Sequence, residues 1–123
     1  MTKKKILLVD DSKTSLFMES MILKKGAYDL VTAMDGVEAL DKALSESPDL
    51  IVMDVVMPRM TGFEACRELK TRRQTRDIPI ILVTTRGESE NIETGLASGC
   101  NDYVTKPVNG AELLSKVRGH LGT

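Results

Sequence analysis

Two aspartates stand side by side in ILLVDDSK, residues 6 to 13, directly after an apolar run that reads as a buried strand. Adjacent carboxylates repel, and one is driven toward its protonated form unless a cation lies beside the pair. Other polar residues close other apolar runs: Asp54 follows Leu50 to Met53, Thr84 follows Pro79 to Val83, and Lys106 lies just beyond Tyr103 and Val104. If these runs are strands of one sheet, the acids Asp10, Asp11 and Asp54 meet a hydroxyl and an ammonium at one edge. Clustered carboxylates form a hard oxygen site suited to Mg2+, which keeps several waters and takes a substrate phosphate oxygen. The metal needs only part of these oxygens, so one acid can serve as a nucleophile toward a phosphoryl group. Asp54 is the candidate, because the loop in MDVVMPRMTG, with Pro58 and Gly62, holds its carboxylate at the edge. Phosphoryl transfer asks mainly for positioning and charge neutralisation, and Mg2+, Lys106 and the Thr84 hydroxyl would each address one phosphoryl oxygen. The single histidine, His120, lies near the C-terminus and reads as solvated.

The elements that must hold these groups follow from periodicity. Short apolar runs at Ile6 to Val9, Leu30 to Ala33, Leu50 to Met53, Pro79 to Val83 and, most weakly, Tyr103 to Val104 alternate with helical spacing at about 12–25, 36–46, 61–73, 88–98 and 109–121. Strict alternation implies a parallel sheet covered on both faces, hence a doubly wound α/β domain. Gly26 and Gly99 stand where left-handed helix caps are wanted, Asp35-Gly36 is a turn, and Asn109 with Glu112 suggests a capping box. In such a sheet the crevice lies beyond the carboxyl ends of the strands, where the candidate residues fall.

A chain of 123 residues, 41% hydrophobic and 28% charged, suits one domain spanning 1–123. Its net charge of −1 offers no general attraction to nucleic acid or anionic membrane. No apolar run is long enough to span a bilayer and no secretion signal stands at the N-terminus, so a cytoplasmic protein is expected. Cys66 and Cys100 then read as small buried hydrophobes rather than a disulfide or metal pair.

LLVDDS (7–12), MDVVMPRMTG (53–62), VTT (83–85) and YVTKP (103–107) resemble, in order and each at a strand end, the receiver domain of bacterial two-component response regulators. The resemblance covers essentially the whole chain and points to a stand-alone, chemotaxis-type receiver. It implies a flavodoxin-like (βα)5 fold with strand order 2-1-3-4-5. It also implies Mg2+ held by Asp10, Asp11, Asp54 and the Val56 carbonyl, with Asp54 taking a phosphoryl group from a sensor histidine kinase or a histidine phosphotransferase. Thr84 and Lys106 would bind that group, Tyr103 would be the aromatic switch, and the Lys106–Pro107 bond would be cis. Thr84 rather than Thr85 is taken as the ligand because its spacing to Lys106 is the family's. Val56, Thr85 and Arg86 would border the path of the water that attacks the phosphoaspartate. Val56 offers only methyl groups and Arg86 can cover phosphoryl oxygens, so slower self-dephosphorylation is expected than in a double variant carrying Val56→Asn and Arg86→Glu. Output would come by contact with a downstream protein target, without direct nucleic acid or membrane binding and without enzymatic turnover beyond the domain's own phosphorylation and dephosphorylation.

Blander readings stand beside these. Asp10 and Asp11 could merely favour the start of the first helix, with Ser12 as its N-cap. Arg67, Lys70, Arg72, Arg73 and Arg76 read as the solvated end of the third helix rather than a nucleic-acid patch. The first helix carries Leu16, Phe17, Met18, Met21, Ile22 and Leu23, too many apolar residues for one stripe. Its outward set is either Leu16 with Leu23 or Met18 with Ile22, which exposed would fit a helical partner, while a wide buried face is the equal alternative; in the family, kinases and phosphotransferases dock near this helix. The fourth helical segment has few large anchors, so its packing should be weak. A Mg2+-dependent small-molecule phosphohydrolase is the rival class, but Val56 stands where its second acid belongs. A receiver cut from a longer regulator would carry the same residues. A nucleotide-binding module fails for want of a glycine-rich phosphate loop.

Overall fold

The computed structural model describes residues 3–85 and 97–122. Within them the chain runs β1 (Lys5–Val9), α1 (Lys13–Leu23), a 3-10 turn (Lys24–Gly26), β2 (Asp29–Ala33), α2 (Gly36–Glu46), β3 (Leu50–Asp54), α3 (Gly62–Thr71), β4 (Ile80–Thr85), β5 (Asp102–Lys106) and α4 (Gly110–Leu121). Helix α4 is the fifth helical segment of the sequence reading. The fourth, 88–98, falls almost wholly outside the described residues.

All strands pair in parallel in the order β2-β1-β3-β4-β5, the order expected. Side chains alternate across the sheet with a period of two. Leu7, Val9, Ile51, Met53, Ile80 and Leu82 join α2 and α3 in one core layer. Ile6, Leu8, Leu50, Val52, Ile81 and Val83 join α1 and α4 in the other. A strand buried on both faces has no polar side to show, which is why these strands read as continuous apolar runs.

Several expectations need correction. Asp54, Thr84 and Lys106 are strand residues rather than the residues just beyond. The strands outlast their apolar runs because backbone pairing continues where side chains turn polar: Thr84 still pairs with Thr105, and Thr85 with Lys106. The left-handed residue after the first helix is Ala27 (φ 58), not Gly26. Gly26 is needed for room, since a Cβ there would overlap the Tyr28 ring. Gly99, at φ 95, does take the left-handed conformation expected of it. Asp35 opens α2 as its N-cap, accepting from the Glu38 amide at 2.8 Å. Asn109 caps α4 through the Glu112 amide, whereas the reciprocal capping box occurs at Thr61 and Glu64 of α3. Lys70 is not simply solvated: its amine donates to the carbonyls of Arg76 and Ile78 and to Asn101 Oδ1. His120 is also paired, with Nε2 3.2 Å from Asp102 Oδ2. Cys66 is buried and Cys100 half-buried, both as free thiols.

Candidate site at the carboxyl edge of the sheet

Strand β1 delivers Asp10, whose amide still bonds the Ala33 carbonyl of β2 at 3.1 Å. Its Oδ1 accepts from the Ser12 amide at 2.9 Å, and Ser12 in turn caps α1 through the Ser15 amide. The bland capping role is therefore real, but it uses only one oxygen. Asp10 Oδ2 is buried with no hydrogen-bond partner among the described residues, and so is Thr84 Oγ1. A buried polar atom left unsatisfied costs about 1–3 kcal/mol, so both oxygens mark places where a ligand is wanted.

Strand β3 brings Asp54 beside Asp10. One carboxylate oxygen from each of Asp10, Asp11 and Asp54 lies within 4.8 Å of the other two. Asp10 and Asp54 are 1% and 6% exposed, while Asp11 faces solvent. From the end of β5 the Lys106 amine reaches in, 3.3 Å from Asp54 Oδ1 and 3.6 Å from Asp10 Oδ2. Burial, seconded by the Asp10 charge, raises the Asp54 pKa despite the nearby ammonium. Burial works against the Lys106 charge, yet Asp54 and Asp10 hold its pKa above the ordinary lysine value. Three acids face one amine, so the edge lacks positive charge. An oxygen-only donor set with that deficit, including a buried oxygen with no hydrogen bond among the described residues, fits a hard divalent cation.

The loop after β3 is folded back tightly. The Val55 amide bonds the Val83 carbonyl at 3.1 Å, and the Gly62 amide bonds the Val55 carbonyl at 2.8 Å. A Cβ on Gly62 would overlap the Asp54 carbonyl oxygen, so only glycine permits this approach. Between them Arg59 takes φ 68 in a γ-turn, and its guanidinium bonds the Asp35 carboxylate at 2.6 Å.

Val56 stands 66% exposed on this loop, beside the acidic cluster in sequence. Tyr103 is half-buried on β5 with the Lys116 amine 5.1 Å from its ring centre. The Lys106–Pro107 bond is cis. Arg86 and the Thr85 side chain lie outside the described residues. Sequence reasoning passed over Glu19, a buried carboxyl on α1 that the Asp10 and Asp54 charges act upon. Its place at helical spacing between Leu16 and Leu23 was the available signal. It also passed over Asp102, which gathers Lys116 and His120 near Tyr103.

The sequence profile of the response regulator receiver domain matches residues 6–118. The chain is 42% identical over 118 residues to the alkaline phosphatase synthesis transcriptional regulatory protein PhoP of Bacillus subtilis, covering 96% of this chain and 48% of that protein. Among solved structures, the chemotaxis response regulator CheY4 of Vibrio cholerae superposes with a TM-score of 0.89 at 38% identity, over 97% of this chain and 99% of that one. The receiver domain of the sensor histidine kinase PA1611 of Pseudomonas aeruginosa, solved with magnesium coordinated in its active-site cleft, gives a TM-score of 0.90 at 30% identity, over 99% of this chain and 100% of that one. Fold, acidic edge and these likenesses define a phosphorylation-dependent signalling domain. The chain belongs to the response regulator receiver domain family of two-component systems. It spans about half the length of PhoP and a quarter of the response regulator PleD of Caulobacter vibrioides, another relative it matches.

Proposed function

We propose that Asp54 is the phosphoacceptor of this receiver, with Lys106 and Thr84 as its phosphoryl-binding groups and Asp10, Asp11, Asp54 and the Val56 carbonyl as the ligands of a Mg2+ ion. The observation that carries this reading is the Lys106 amine bridging Asp54 and Asp10 at an edge where two buried oxygens have no hydrogen-bond partner among the described residues. Mg2+ bound there would neutralise the carboxylates and the phosphoryl oxygens brought against them. An Asp54 oxygen attacks the phosphorus of a phosphohistidine in line with the breaking N–P bond, whose electron pair stays on the imidazole nitrogen. Lys106 then turns from the carboxylates to a phosphoryl oxygen, and the Thr84 hydroxyl donates to another. Movement of Thr84 makes space toward which the Tyr103 ring turns, and the altered face signals to a protein target.

The phosphodonor is a sensor histidine kinase or histidine phosphotransferase, and the setting is cytoplasmic. Free cysteines, and the lack of any membrane-length helix among the described residues, support that setting. Val56, in the place where a hydrolase would need its second acid, favours a switch over turnover of external substrates. A stand-alone domain of residues 1–123 in a chemotaxis-like pathway is the arrangement that the likeness to CheY4 supports.

Incubation with acetyl phosphate and Mg2+ should label the wild-type chain and leave Asp54→Asn unlabelled, while Asp11→Ala loses the Mg2+ requirement curve along with most of the label. Normal labelling of Asp54→Asn under the same conditions would remove the assignment.

A further inference from the structure

Residues 56–61 leave the end of β3 and return to the same place: the Val55 amide is tied to the Val83 carbonyl, and the Gly62 amide closes back on the Val55 carbonyl. Within that closed loop Met57 is buried and Met60 packs against the core, whereas Arg59 sends an exposed side chain outward. Its backbone is the costly point. Arg59 takes φ 68, with the Met60 amide bonded to the Pro58 carbonyl at 2.7 Å, a γ-turn that is strained for any residue carrying a Cβ. Such conformations persist only where their surroundings hold them. The hold here comes from Asp35, the N-cap of α2, whose Oδ2 accepts from the Arg59 guanidinium at 2.6 Å.

We propose that the Arg59–Asp35 pair is a positioning latch, which holds this loop in the shape that presents the Val56 carbonyl to the divalent cation. The proposal rests on the reading of that carbonyl, with Asp10, Asp11 and Asp54, as the ligands of the cation. A carbonyl has no rotamers of its own, so the loop backbone alone aims it, and the exposed Val56 side chain ties nothing down. Exposed ion pairs commonly contribute little, because two side chains must be ordered to make them. This pair differs on its acidic side. The Asp35 side chain is only 15% exposed and its Oδ1 already accepts from the Glu38 amide at 2.8 Å, so Arg59 alone loses freedom when the pair forms. The Glu38 amide first, and then Arg59, hold the Asp35 carboxyl below the ordinary carboxylate range, so it is charged at neutral pH. The helix behind it also stands close. A Cβ on Gly36 would fall 2.8 Å from both the Cβ and the carbonyl oxygen of Met60, so the start of α2 abuts the loop beside Arg59 without a gap. Ion pair and cation favour one loop shape, and each therefore strengthens the other.

The test is a Mg2+ titration of the full chain at fixed ionic strength, followed through the amide resonances of Asp11 and Val56, for wild type, Asp35→Asn, Arg59→Ala and Arg59→Gly. Asparagine caps a helix as well as aspartate does, so Asp35→Asn keeps α2 and loses the pair. Alanine keeps the strained backbone and loses the guanidinium. Both variants should weaken Mg2+ binding about two- to fivefold, the scale of one exposed ion pair. Charge alone makes a different forecast: removing the Asp35 anion weakens the hold on a cation, but removing the Arg59 cation strengthens it. Glycine takes φ 68 without strain, so Arg59→Gly should bind Mg2+ within about twofold of wild type or more tightly. Binding in Arg59→Ala that equals or exceeds wild type overturns the latch. So does Arg59→Gly that binds no better than Arg59→Ala, or Asp35→Asn that matches wild type. A wild-type chain that binds no Mg2+ overturns the cation reading and the latch with it. Wild-type binding that is lost in Asp11→Ala, yet untouched in the Asp35 and Arg59 variants, overturns the latch alone.

Discussion

At the scale of single residues, Glu19 and Asp54 show how burial sets chemistry. Burial, with the charges of Asp10 and Asp54 added, pushes the Glu19 pKa from its ordinary 4.5 up to about 8, even though Lys106 pulls it down. The folded chain therefore keeps a proton on Glu19 that the unfolded chain releases above pH 4.5. The stabilisation that this carboxyl allows is complete below the unfolded pKa and is lost as pH rises toward the folded one. Linkage at about 1.4 kcal/mol per pH unit puts the loss by neutral pH at roughly 3 kcal/mol. Urea unfolding without Mg2+ should show wild-type stability falling from pH 5 to pH 7.5 more steeply than that of Glu19→Gln. Parallel profiles would show that Glu19 is not held protonated. Asp54 is raised in the same direction by burial and Asp10, so the anion that the proposed phosphoacceptor role requires depends on the positive charge of Lys106 beside it.

At the scale of elements, the strand ends were legible because a parallel sheet demands apolar runs and puts its crevice where they stop. Asp10, Asp54, Thr84 and Lys106 could be placed by that rule alone. Strand β5 was nearly invisible, since of Asp102–Lys106 only Val104 is fully buried and the polar residues on either side hide the run. The inward face of helix α1 was illegible for a different reason: its apolar residues lie all around it, and a carboxyl, Glu19, occupies the buried stripe. Neither outward pair expected from the sequence is found as such: Leu16 and Leu23 are inside, and Met18 is exposed while Ile22 is half-buried. The box at Thr61 and Glu64 was hidden although its spacing is plain, because Gly62 between them is a weak helix former and reads as loop. Gly62 makes the element-scale prediction. Alanine there drives its Cβ into the Asp54 carbonyl oxygen and to 2.9 Å from Val55 Cα, and backbone cannot yield as a flexible side chain can. Gly62→Ala should lose at least about 2 kcal/mol in urea unfolding and be labelled more slowly at Asp54. A stability equal to wild type would mean that the loop does not need this approach.

At the scale of the whole molecule, the proposed phosphoryl site and the proposed switch residue Tyr103 lie on neighbouring strands. Asp54 pairs with Val83, Thr84 follows on β4 and pairs with Thr105, and Leu82 pairs with Tyr103. A change at Thr84 is thus two residues along the sheet from the ring that the proposed switch would move. That ring is not free. Lys116 of α4 lies over it, donates to the Tyr103 carbonyl at 2.6 Å and pairs with Asp102 at 3.1 Å, while His120 meets the same carboxylate. The clamp ties α4 to β5 and favours the present ring position. A cation over an aromatic face is worth about 0.5–1 kcal/mol at a partly exposed site, which changes a two-state ratio roughly two- to fivefold. Such a bias can hold a resting state and still yield to phosphorylation, because a ligand shifts an equilibrium only by its differential affinity. Lys116→Met should therefore move the Tyr103 ring resonances of the unmodified protein partway toward those of the beryllofluoride-saturated wild type, and lower the beryllofluoride concentration needed to complete the shift. Spectra of Lys116→Met that match the wild type both before and during the titration would show that Lys116 takes no part in setting the switch.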